Sequence, residues 1–125
     1  MSENEIAYQI RGAIYDVYNK LGPGLFESVY ENALSYELKK RGLDVKSQVP
    51  INIIYDGIDM EAGFKMDLLI EGKVIIELKS VEALALVHHK QLLTYLKLTN
   101  LKLGILVNFN TSDINKSIIR KVNGL

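Results

Sequence analysis

From Glu5 to Leu21 the apolar residues Ile6, Ile10, Ala13, Ile14, Val17 and Leu21 recur at helical spacing, with Arg11, Asp16 and Lys20 off their stripe. The pattern predicts an amphipathic helix. Gly22-Pro23-Gly24 interrupts it, and a second helix follows whose inner face carries Phe26, Val29, Tyr30, Ala33, Leu34 and Leu38. It closes at Lys39-Lys40-Arg41-Gly42, where cations and a glycine suit a helix C-terminus. From Val45 the period shortens to that of strands, and turn signals at Asp56-Gly57 and Glu71-Gly72 divide the segment to Lys79 into three antiparallel strands. Residues 84–99 return to helical period, 101–109 read as a buried strand, and 112–122 as a closing helix N-capped by Ser112. The expected order is α-α-β-β-β-α-β-α. A fourth strand reached across a helix runs parallel to a neighbour, which gives an α/β (α+β) fold: a four-stranded mixed sheet with helices on both faces.

Composition narrows the function classes. At 125 residues and 48% hydrophobic content, without low-complexity tracts, residues 1–125 are expected to form a single domain. No run approaches the length of a membrane span, and the acidic, polar N-terminus is unlike a signal peptide, so no membrane partner and a cytoplasmic location are expected. The absence of cysteine excludes disulfides, thiolate metal sites and a thiol nucleophile. Fifteen basic and 15 acidic residues cancel, so a polyanion would need a local patch. No Ser-His-Asp order, Gly-rich phosphate loop or metalloprotease motif occurs.

The chemistry concentrates in residues 66–80, MDLLIEGKVIIELKS. Alternation along 73–80 puts Lys73, Ile75, Glu77 and Lys79 on one strand face and Val74, Ile76, Leu78 and Ser80 on the other. A carboxylate on so apolar a strand needs compensation. Taken alone, Glu77-x-Lys79 reads as a half-solvated surface pair, like the Glu37-x-Lys39 repeat in the second helix. Asp67 changes that balance. A two-residue loop at Glu71-Gly72 would turn Asp67 away from Glu77, whereas a three-residue loop over 70–72, with left-handed Gly72, pairs 69 with 73 and sets Asp67 on the face of Glu77 one diagonal step away. Two carboxylates and a lysine on one face would suit a hard divalent cation bound through oxygen, Mg²⁺ or Mn²⁺, in phosphodiester hydrolysis.

Asp67 followed by Glu77-Leu78-Lys79, within three strands after a helix, resembles the PD-(D/E)xK nuclease superfamily and its restriction-endonuclease-like core. Gly24-Leu25-Phe26-Glu27-Ser28-Val29-Tyr30, with IIELKSVEAL, HHKQLLTYLK, GILVNF and IIRKV, resembles its GxxExxY branch over nearly the whole chain. The resemblance implies metal ligation by Asp67 and Glu77, a catalytic Lys79, a further carboxylate from Glu27, and a substrate-binding pair Gln91 and Tyr95, similar to the Gln-x-x-x-Tyr element of RecB-like members. It also implies nucleic acid as partner. Met66 stands where the superfamily name records proline, a position that supplies no ligand.

Local readings compete with several of these roles. Glu27 in a first helical turn is stabilised by the helix dipole in any case. Gln91, Tyr95 and His88 share a helical face beside the apolar stripe of Ala85, Leu92, Leu93 and Leu96; such a stripe faces solvent unless it rims the cleft, with Gln91 then reaching Lys79 or a bound nucleotide. His88 and His89 diverge by about 100°, against a two-histidine metal site. Tyr30 is expected in the core with its hydroxyl bonded, and Arg120 in a local pair. Two function classes follow: a metal-dependent nuclease, or an inactive nuclease-fold binding or assembly module, such as a homodimer.

Overall fold

The computed structural model describes residues 1–61 and 63–125. Helix α1 (Glu3–Leu21) begins in a capping box, Ser2 accepting from the Glu5 N–H while the Glu5 carboxylate accepts from the Ser2 N–H. Its stripe Ile6, Ile10, Ala13, Ile14 and Val17 is buried as the spacing predicts. Helix α2 (Glu27–Lys40) buries Tyr30, Leu34 and Leu38. Phe26 and Val29, expected on that inner face, are exposed, Phe26 at 83%, because Phe26 is the extended N-cap and stands ahead of the helical turns that meet the sheet.

Seven strands follow: β1 (Val45–Ile51), β2 (Ile54–Tyr55), β3 (Ile58–Asp59), β4 (Phe64–Ile70), β5 (Val74–Lys79), then, after helix α3 (Leu86–Thr99), β6 (Leu103–Asn108) and β7 (Ile118–Val122). The main sheet has five strands in the order β1-β4-β5-β6-β7, antiparallel except for the parallel β5–β6 pair that the intervening helix requires. Helices α1 and α2 cover one face and α3 the other, as expected of a mixed sheet. Two elements differ from the sequence reading. The Asp56-Gly57 turn closes the separate hairpin β2–β3 and not the first pair of the main sheet, so the first two long strands are 45–51 and 64–70. Ala62, within the second expected strand, lies outside the described residues. The closing helix is replaced by a 3₁₀ turn over Ile114–Ser117 and strand β7. Ile118 and Ile119 are β-branched, and pairing along β6 gives this segment a ladder that a helix would forgo.

The two faces are distinct cores. Val74, Ile76, Leu78, Leu103, Ile105 and Val107 pack under α1 and α2, whereas Ile75 and Leu106 pack against Leu92, Tyr95 and Leu96 of α3. Gly104 lets α3 approach β6: a Cβ there would lie 2.7 Å from Leu92 Cδ1. The ladder between β1 and β4 is interrupted at one place. It skips Gln48 and Asp67, and Gln48 takes a left-handed φ of 52°. Across that interruption the alternation inverts, for Leu68 and Ile70 face the α1/α2 core while Met66 faces the α3 core.

Candidate active site

The β4–β5 hairpin sets the geometry. Ile70 pairs with Val74, Leu69 with Ile75 and Leu68 with Ile76, so the loop is the three residues Glu71, Gly72 and Lys73, with Glu71 and Gly72 both left-handed. The expected odd loop length holds, shifted by one residue. Continued one residue further, this register sets Asp67 directly opposite Glu77 instead of one diagonal step away. Asp67 Oδ2 accepts the Leu78 N–H at 2.9 Å, which ties the carboxylate to the partner strand.

Glu77 is 6% exposed, and its Oε1 has no hydrogen-bond partner. Burial first, and the adjacent Asp67 second, push its carboxyl up to about 10, while Lys79 acts in the opposite direction. Tyr95, read as part of a polar stripe, is instead buried in the α3 core; burial, then Glu77 and Asp67, push its phenol up to about 12. Gln91 lies one turn earlier and shares a cleft with Phe64, Val87, Lys90, Thr94 and Tyr95. No hydrogen bond joins Gln91 to Lys79 among the described residues. Lys79 is half-buried at the end of β5, and among the described residues it forms no ion pair. The structure therefore brings Asp67, Glu77, Lys79 and Tyr95 into one electrostatic neighbourhood, with Gln91 on its wall.

Glu27 is exposed in the first turn of α2. The α2 carboxylate that feels Asp67 is Glu31, one turn on, whose ionisation is opposed by burial and then by Asp67; Gln48 Nε2 donates to it at 2.8 Å. Glu31 was legible only as the next carboxylate at i+4 from Glu27. Gln48 carried no sequence signal, because its role comes from the interrupted ladder that puts Asp67 between the two faces.

Two further residues frame the site. Asn108, beside Lys79 in register, clamps the loop after β5: its amide accepts from and donates to the Val81 backbone at 3.1 and 2.9 Å. Tyr30 explains the Gly-rich loop before α2. Its hydroxyl donates to the Gly22 carbonyl and accepts the Leu25 N–H, and its ring stacks on Phe109 at 4.4 Å. That loop in turn receives the Ser80 hydroxyl at the Leu25 carbonyl, which couples it to the end of β5. His88 Nδ1 accepts the Ala85 N–H and so caps α3.

Among the described residues no group of three or more His, Asp or Glu side chains converges to hold a metal. The pair Asp67 and Glu77 nevertheless fits one hard divalent cation. Both donors are oxygen, and the orphaned, buried Glu77 Oε1 is an atom that a cation would satisfy, with water or main-chain carbonyls completing the shell.

A five-stranded mixed sheet between helices, with facing carboxylates and a lysine at the central hairpin, defines a restriction-endonuclease-like fold. Residues 4–121 match the family model described as the PD-(D/E)XK nuclease superfamily, and the chain belongs to that superfamily. Comparison with curated proteins and with solved structures gives no match.

Proposed function

We propose that this domain is a Mg²⁺- or Mn²⁺-dependent nuclease acting on nucleic acid. The observation that carries the reading is the buried Glu77 carboxylate with an unpartnered oxygen beside Asp67, on the strand face that also bears Lys79. Asp67 and Glu77 would hold the ion, and Glu31 and Glu27 are the α2 carboxylates nearest to serve as further ligands. When bound, the ion would lower the pKa of a water and neutralise charge on a phosphate. Lys79 would present its ammonium to the developing phosphate charge, with Asn108 holding the turn behind it. Tyr95 and Gln91 would line the substrate side of the cleft.

The Gly24-to-Tyr30 motif supports placement in the GxxExxY branch, with Tyr30 as its loop-holding residue. The cysteine-free composition is compatible with a cytoplasmic, single-domain protein, and among the described residues no helix is long and apolar enough to cross a membrane. The second reading, an inactive nuclease-fold binding or assembly module such as a homodimer, is favoured by one feature: zero net charge supplies no general attraction for a strand.

The test is cleavage of single-stranded, duplex and branched DNA and RNA with Mg²⁺ or Mn²⁺. Lys79→Ala should reduce the rate by roughly 10²–10³, the scale for loss of one charge-stabilising group. Wild-type cleavage no greater than that of Lys79→Ala across the panel refutes the nuclease and leaves the module.

A further inference from the structure

On the sheet face opposite Glu77, where α1 crosses β6 and β7, a cavity of about 210 Å³ is lined by Asn4, Ala7, Tyr8, Ile10, Arg11, Ile105, Ile118 and Arg120. Its floor is apolar, and Ile10 and Ile105 belong to the α1/α2 core. Its walls carry two guanidinium groups. Arg11 donates to the Asn115 amide oxygen at 2.8 Å, which also accepts the Tyr15 hydroxyl, while the Arg11 guanidinium lies 5.9 Å from the Tyr15 ring centroid. Arg120 donates to the Asn4 amide oxygen.

Both arginines are thus oriented by neutral amides, and among the described residues neither meets a carboxylate. Of the two acids that flank Asn4, Glu3 and Glu5, Glu5 is engaged with Ser2 in the helix cap and lines a neighbouring concavity, and neither forms an ion pair with these arginines. In a chain whose charges sum to zero, two fixed and uncompensated guanidinium forks beside an apolar floor form a local field for an oxyanion. The forks match the oxygens of a phosphate, and the low-dielectric floor strengthens the attraction. Tyr8, 77% exposed at the rim, offers a flat face to an aromatic group attached to that phosphate. The cavity is too small for a whole drug-sized ligand and suits the phosphate end of one.

We propose that Arg11 and Arg120 form a phosphate-binding site for a nucleotide, separate from the carboxylate site and independent of whether that site cleaves. The nucleotide is either free or the phosphorylated end of a strand. Arg11 and Arg120 grip the phosphate, Asn115 and Asn4 keep the forks in place, and Tyr8 stacks on the base.

The test is an amide NMR titration of the full chain with adenosine monophosphate, in EDTA so that no cleavage intervenes. Saturable shifts should map to 4–11 and 118–120, and adenosine without phosphate should produce none. Arg11→Ala and Arg120→Ala should each weaken binding about 10- to 100-fold, the range for losing a hydrogen bond to a charged group. Arg11→Lys and Arg120→Lys keep the charge without the fork and should fall between wild type and alanine, which also reads the site if an alanine variant fails to fold. Binding of a 5′-phosphorylated oligonucleotide, but not its unphosphorylated twin, assigns the strand end; binding of the mononucleotide alone assigns the free ligand. No saturable binding by wild type, equal binding of adenosine, shifts centred on Lys79 and Lys90, or lysine and alanine variants with wild-type affinity would each overturn the site.

Discussion

Replacing Glu77 by Gln should make the metal-free protein less sensitive to rising pH. In the unfolded chain this carboxyl titrates near 4.5, while in the folded protein burial and Asp67 raise it to about 10. Below pH 4.5 it is neutral in both states and costs nothing. Between 4.5 and about 10 the unfolded chain has lost the proton that the folded chain keeps, so stability falls as pH rises. The slope for one group is about 1.4 kcal/mol per pH unit. From pH 4.5 to 7 it amounts to about 3 kcal/mol, a large part of the roughly 5–15 kcal/mol of a whole domain.

Urea unfolding of wild type and Glu77→Gln in EDTA at pH 5, 6, 7 and 8 isolates the term, because most other titrating groups cancel in the difference. The wild type should lose ground to the variant by about 1.4 kcal/mol per unit across this range. Saturating Mn²⁺ should restore the wild type, which then gains from the ionised carboxylate, and leave the variant unchanged. A difference that stays flat with pH would show that Glu77 is ionised and compensated without metal. The orphaned Oε1 would then be no argument for a cation.

The other predictions concern ligation and packing. Calorimetry with Mn²⁺ should give a binding signal in wild type that Asp67→Asn abolishes and that Lys79→Ala leaves unchanged or strengthens, since removing a cation relieves repulsion; undiminished binding by Asp67→Asn would place the metal elsewhere. Tyr30→Phe removes the hydroxyl that joins the Gly22 carbonyl to the Leu25 N–H and should cost about 1–3 kcal/mol in urea unfolding, with the same loss in cleavage whichever metal is used. Gly104→Ala drives a methyl against the fully buried Leu92 and should cost about 1–3 kcal/mol. Leu92→Ala alone should cost about 2–5 kcal/mol, and the double variant less than the sum; strict additivity would mean that α3 does not rest on Gly104.

Much of the fold was legible because its signals are local. The stripe Ile6 to Val17 needs only period 3.6, and the apolar run of β5 only its composition, so α1, α2, α3, β5 and β6 fall where the pattern puts them. The misses are those that tertiary pairing decides. Ile118-Ile119-Arg120-Lys121-Val122 follows a Ser-Asp helix-start signal, yet the free edge of β6 captures it as a strand. Asp56-Gly57 signals a turn correctly without saying which sheet the turn belongs to. Phe26 has the spacing of a core residue and the position of a cap, and the cap decides. Glu37, whose Glu-x-Lys context marked it as surface charge, is 8% exposed and pairs with Lys20 at 3.1 Å, a partner in another helix that spacing cannot reveal.

The site was legible where parity alone decides, and hidden where the strands depart from it. Asp67 and Glu77 face each other because an odd loop preserves the face, an inference available from Gly72 and strand alternation. Parity could not reveal that β1 and β4 break their ladder at Gln48 and Asp67, so that one carboxylate acts on Glu31 of α2 and on Glu77 and Tyr95 on the α3 side. That break carries a positive φ at a non-glycine residue, an arrangement costing of order 1 kcal/mol, and it adds to the larger cost of a buried carboxyl. Ile75 and Leu106 show that the surrounding face accepts aliphatic side chains. An acid at position 77 on such a face carries a penalty that a bound cation would remove by giving the orphaned oxygen a partner. The balance between the two readings rests on that oxygen.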